Sequence, residues 1–184
     1  MKPSNVKRSG RRALGMAVLL ALGTAAAKEE RSYLFLRTPN NAYTVQVEGN
    51  DLNSADIQLT REGDSLRGRA FGRVVFLNLD ANTVGGTAGG LLSRLQLRDK
   101  EGVTEIQGNF LGSLVHLDFG PQAISGTVGR CGYDLKVNAD GLYEGSRSCG
   151  GIPQRPVTLG IPSSLTQQGK PMTVATLAML LGST

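Results

Sequence analysis

The chain has 184 residues, with 20 Lys and Arg against 15 Asp and Glu, one histidine and no tryptophan. A formal charge of +5 and a pI near 9.5 would suit a nucleic acid or an anionic surface, but the placement of the charges excludes the first. Lys2, Lys7, Arg8, Arg11 and Arg12 all lie in the first 27 residues, which hold no acid, so the remainder carries 15 residues of each sign; no basic cluster with interleaved aromatics is left to bind nucleic acid.

That basic start leads into an apolar run over residues 13–22 and then Gly23-Thr24-Ala25-Ala26-Ala27. The three parts make an export signal with cleavage expected between Ala27 and Lys28. The run is shorter than the roughly 20 apolar residues of a spanning helix, so the exported chain, periplasmic or secreted, is expected not to span a membrane. We read residues 28–161 as one β domain and 162–184 as a linker and a short apolar helix.

Two strands come first, over residues 31–37 and 43–47, joined at Thr38-Pro39-Asn40-Asn41 and expected to pair with a closing strand at Val157, Leu159 and Ile161. Between them a repeat of about twenty residues runs in six copies. Gly49, Gly68, Gly86, Gly108, Gly126 and Gly145 each follow an apolar residue by two positions. Leu77, Leu95, Leu117 and Leu135 each follow the glycine of their own copy by nine. Apolar and polar residues alternate, as in Val75, Leu77 and Leu79 against Asn78, or Val115, Leu117 and Phe119 against Asp118, the pattern of half-buried antiparallel strands. Glu62-Gly63, Glu101-Gly102 and Asp140-Gly141 are hairpin turns. The fold class is therefore all-β, an antiparallel meander of six glycine-marked hairpins closed into an up-and-down barrel of about twelve strands, with a short C-terminal helix. A forty-residue period, in which Gly68, Gly72, Val75, Leu77, Gly86, Thr87 and Gly89 recur, keeps a trefoil-like or prism-like arrangement of three units as the alternative.

Chemistry-bearing residues are few. Cys131 and Cys149 sit at nearly equivalent places in adjacent copies and, in an exported chain, predict one disulfide. His116 and Asp118 project from one face of one strand, a polar pair that would open an acid/base or metal site only with a third group, and no spacing supplies one. No catalytic, metal-binding or cofactor motif is present. The repeat lapses at Gly150-Gly151-Ile152-Pro153-Gln154, which makes those residues the candidate binding loop. Val174, Leu177, Ala178 and Leu181 would share one face of the final helix, which is expected to dock on the barrel mouth. Of the aromatic residues, Phe71, Phe76 and Phe110 stand where exposure is expected.

The function that follows is a non-enzymatic exported barrel with a binding or structural role at the envelope or outside the cell, its partner a protein, a glycan or a small apolar ligand. The alternatives are a carrier with that ligand inside the barrel and a hydrolase built on His116 and Asp118.

Overall fold

In the computed structural model, which describes residues 32–182, period-two alternation becomes strand after strand. The signal segment and its cleavage point lie outside the described residues. β1 (Tyr33–Arg37), β2 (Ala42–Glu48), the short β3 (Asp51–Asn53) and β4 (Ile57–Glu62) precede the regular repeat. The repeat supplies β5 (Ser65–Ala70), β6 (Arg73–Asp80), β7 (Thr83–Ala88), β8 (Leu91–Lys100), β9 (Val103–Phe110), β10 (Ser113–Phe119), β11 (Ala123–Val128), β12 (Cys131–Val137) and β13 (Tyr143–Cys149). β14 (Ile152–Gly160) then closes the sheet on β1, with Phe35 opposite Gly160 and Arg37 opposite Thr158.

Each strand pairs antiparallel with its neighbours in sequence, and the 14 strands form a closed barrel. The count exceeds the expected twelve by two, because β1 and β14 flank the twelve strands β2–β13 and pair with each other in the same sheet. Closure leaves no three-unit trefoil or prism and no exposed sheet edge.

The glycines explain how the sheet curves. Gly68, Gly86, Gly108, Gly126 and Gly145 lie mid-strand on β5, β7, β9, β11 and β13, opposite Leu59, Leu77, Leu95, Leu117 and Leu135 of the preceding strands. A Cβ at any of the five would come within 2.0–2.1 Å of a backbone carbonyl oxygen of that strand. These are glycine kinks of the kind that bend a sheet into a barrel. Gly49, counted with them in the sequence, lies instead in the turn between β2 and β3 with open space around it, so the kink occurs five times.

A barrel of eight strands is filled by its own side chains; fourteen enclose more room. That room is taken by the chain itself. After the short α1 (Ser163–Thr166), the 13-residue α2 (Lys170–Gly182) runs about 20 Å through the interior. Every residue from Met172 to Leu181 is buried, and the strands nearest the helix are β6, β7, β9 and β11. Three of those four carry a kink glycine, and the helix brings small Ala175 and Ala178, so backbones approach closely.

The helix is thus buried on all sides instead of docking one face on the mouth. Its sequence, Met-Thr-Val-Ala-Thr-Leu-Ala-Met-Leu-Leu, is apolar all round, which is what a fully enclosed helix requires. The two hydroxyls in it are satisfied by backbone carbonyls four residues back along the chain. Thr176 Oγ1 donates to the Met172 carbonyl at 2.8 Å and Thr173 Oγ1 to that of Gly169 at 3.1 Å.

Candidate functional site

Because the sheet is a pure meander, its turns alternate between the two ends of the barrel. The helix enters at the end bearing the turns before β3, β5, β7, β9, β11 and β13, here the entry end. It finishes toward the end bearing the turns before β2, β4, β6, β8, β10, β12 and β14, the far end.

At the entry end the chain is clasped where it turns inward. The Lys170 ammonium pairs with the Asp99 carboxylate, which also accepts a hydrogen bond from Thr104 Oγ1 at 3.0 Å. Those hydrogen bonds, first from Lys170 and then from Thr104, hold the Asp99 carboxyl below the ordinary carboxylate value. On the opposite side Arg61 donates to the Gln168 carbonyl, and Gln168 Nε2 donates to the Gly49 carbonyl at 2.7 Å. A recess of about 370 Å³ opens beside the helix between Thr104, Phe119, Pro121, Tyr143, Lys170 and Thr173. Tyr143 donates its hydroxyl to the Gly120 carbonyl at 2.9 Å, and burial raises its pKa above the ordinary 10.0. The recess has aromatic walls, but its ammonium is already engaged by Asp99.

Toward the far end, Cys131 and Cys149 are directly opposite on β12 and β13 with Cα atoms 4.0 Å apart, and they form a disulfide. Tyr133, two residues along β12, donates its hydroxyl to the Leu181 carbonyl at 2.7 Å and so satisfies one carbonyl of the last helical turn. Opposite Tyr133 stands Arg147, only 4% exposed. Its Nε donates to Gln154 Oε1, while Nη1 has no hydrogen-bond partner among the described residues. Arg147 was not singled out in the sequence, where nothing distinguishes it from the surface arginines. Its inward direction follows from strand parity with Tyr143 and Gly145.

The candidate loop resolves into a tight turn and a strand. Gly150 and Gly151, with φ of +61° and +86°, make a two-residue hairpin turn, and Ile152, Pro153 and Gln154 belong to β14. The irregularity there is a bulge: the register shifts between Gly145, opposite Val157, and Arg147, opposite Gln154.

His116 and Asp118 stand exposed on the outer face of β10, His116 beside Gln107 and Thr127, Asp118 beside Glu105 and Ser125. Among the described residues no group of three His, Cys, Asp or Glu side chains is close enough to hold a metal ion.

Phe76 is exposed, with the Arg67 guanidinium 4.6 Å from its ring centroid. Phe71 is half-buried against Tyr43, and Phe110 is buried in the core rather than exposed.

Comparison of the chain with models of protein families, with curated proteins and with solved structures finds no match.

Between the two rims, apart from Phe76, the outer face carries polar side chains such as Gln58 and Thr60 on β4, Asn78 on β6, Arg94, Gln96 and Arg98 on β8, and Lys136 on β12. A barrel that crosses a bilayer presents lipid with an apolar band about 25 Å tall. Here that height is occupied by amides and charges. No described helix is long and apolar enough to cross a membrane either.

Proposed function

We infer that this protein is exported and acts without catalysis, through binding or structure, at the cell envelope or outside the cell. The observation that carries the reading is the helix inside the barrel. An interior packed with Met172, Val174, Leu177, Leu180 and Leu181 is committed to stability, which leaves the outer face and the two rims to meet a partner. This weighs against a carrier holding an apolar ligand in the barrel, since the ligand would have to displace the core. The placement of His116 and Asp118 on the open outer face of β10, away from any recess, weighs against a hydrolase.

Export is supported by the tripartite N-terminal segment and by a disulfide of the kind that persists in oxidising compartments. The test is fractionation of the producing cells with mass determination of the accumulated chain. A chain beginning at Lys28 in the envelope or medium is the expected result. An uncleaved chain confined to the cytoplasm overturns it.

A further inference from the structure

The turns at the two ends of the barrel differ in charge and in polarity. Four of the six turns at the entry end read Glu62-Gly63-Asp64, Asp80-Ala81-Asn82, Lys100-Glu101-Gly102 and Asn138-Ala139-Asp140, and Glu48 and Asp51 flank a fifth, so acids line most of the mouth where α2 enters. At the far end, Asp56 is the one acid within two residues of a turn among the described residues, whereas Arg37, Arg69, Arg73 and Arg130 all lie there.

Exposed apolar side chains gather at that same far end. Val74, Leu92 and Leu114 are the second residues of β6, β8 and β10, equivalent positions in the repeat that point outward, and they are 59%, 77% and 74% exposed. Leu91, the first residue of β8, is exposed beside Leu92, and Ile152, the first residue of β14, is exposed at the same end four strands beyond β10. With strands about 4.8 Å apart, the arc from β6 to β10 spans about 20 Å of rim. The turns between these positions are Gly89-Gly90 and Leu111-Gly112, which leave the tips low.

We propose that this basic, apolar rim is a docking surface for the headgroup face of an anionic lipid bilayer. It rests on the reading of the protein as a non-enzymatic binding module of the envelope or exterior, and names the partner. Val74, Leu92 and Leu114 enter the acyl boundary to a depth of about 5–10 Å, while Arg69, Arg73 and Arg130 meet the phosphates. Because the sheet is closed, the inserted strand ends bring no unpaired edge into the interface.

Both halves of the rim are needed to choose this occupant. A soluble polyanion would satisfy the arginines and leave Val74, Leu92 and Leu114 in water. A second copy stacked head to tail would match acidic entry end to basic far end. However, the entry end offers only Tyr33 as an exposed large apolar side chain among the described residues, so the apolar arc would again stay uncovered.

The test uses the chain as it accumulates in the producing cells, with its N-terminus read by mass, and co-sedimentation with phosphatidylglycerol or phosphatidylcholine vesicles. Binding to the anionic vesicles is expected, weakening with salt. Leu92→Asp with Leu114→Asp should lower it about tenfold or more, and Arg73→Gln or Arg130→Gln about fivefold each. All four positions are at the rim, and unchanged thermal unfolding of the variants checks that the barrel is intact. Equal binding by wild type and rim variants overturns the proposal, as does equal binding to the two lipids. A wild-type oligomer in the absence of vesicles that Leu92→Asp with Leu114→Asp dissolves assigns the rim to a second copy and also overturns it. Export is read separately from the N-terminal mass, so failure of docking and failure of export are distinguishable.

Discussion

Gly126 faces the backbone carbonyl of His116 so closely that a Cβ on it would lie 2.1 Å from the oxygen. The φ of Gly126, +119°, is one that L side chains rarely adopt. Steric and conformational demands therefore coincide at this position. The neighbour is a main-chain atom of a paired strand, so it has little freedom to move aside.

Gly126→Ala, and likewise Gly86→Ala, should destabilise the barrel by about 3 kcal/mol or more, the sum of backbone strain and overpacking. Gly63→Ala is the matched control: its φ is +59°, but nothing lies within 4 Å of the added methyl, so about 1 kcal/mol is expected. Urea unfolding of the three variants reads the difference. Equal losses at all three sites would mean that the close approach carries no energy.

Leu177 is 1% exposed in the middle of α2, with the barrel wall around it. Leu177→Ala should cost about 2–5 kcal/mol, as for large-to-small changes in a packed core. A chain ending at Gly169 should lose its cooperative thermal transition altogether, because the inward leucines of the strands would line a wet lumen. Retention of a sharp transition by that truncated chain would show that the helix is dispensable to the barrel.

The Cys131–Cys149 bridge closes a segment with a sequence separation of 18. Replacing both cysteines with Ala should lower stability by about 3 kcal/mol in the chain-entropy model. The fold should persist, since the cross-strand ladder from Cys131 to Val137 pairs independently of the bridge. Alkylation in denaturant should add no label before reduction and two labels after it, and the unfolding midpoint of the double variant gives the energy.

Asp99 sets a pH dependence at the helix entry. Its pKa is lowered in the folded state, chiefly by the hydrogen bond from Lys170. The unfolded chain then binds the proton more readily, so this clasp contributes stability above the ordinary carboxylate value of 3.8 and loses it as pH falls through the lower, folded value. The melting temperature of wild type should exceed that of Asp99→Asn near neutral pH, and the gap should close in acid. A gap that stays constant down to about pH 2 would assign the difference to something other than the charge of Asp99. Tyr143 has the opposite sign: its raised pKa contributes stability below 10.0 that is lost in alkali as the phenol ionises.

Much of the fold is legible in the chain because strand parity and turn chemistry are local. Val75, Leu77 and Leu79 face inward in β6 for the reason their spacing implies, and Glu101-Gly102 turns where the dipeptide says it should. Parity also places His116 and Asp118 together on the outside. The Cys131–Cys149 pairing was readable from equivalent positions in successive copies. Parity likewise turns Arg147 inward and Leu92 and Leu114 outward, but the burial of Arg147 against Tyr133 and the exposure of the two leucines on one arc of the rim depend on closure of the barrel around α2.

By itself, then, the sequence determined the antiparallel meander, its turns and its disulfide, through interactions between residues close along the chain or in adjacent repeats. Closure at fourteen strands was decided only in three dimensions, where the kink glycines set the curvature and β14 meets β1. The place of α2 was decided there too. An all-apolar helix must be enclosed, yet only the volume left inside a barrel of this size says what encloses it. The same closure gives the molecule an acidic entry end and a basic, apolar rim, because alternation of the turns sorts charges that are interleaved along the chain.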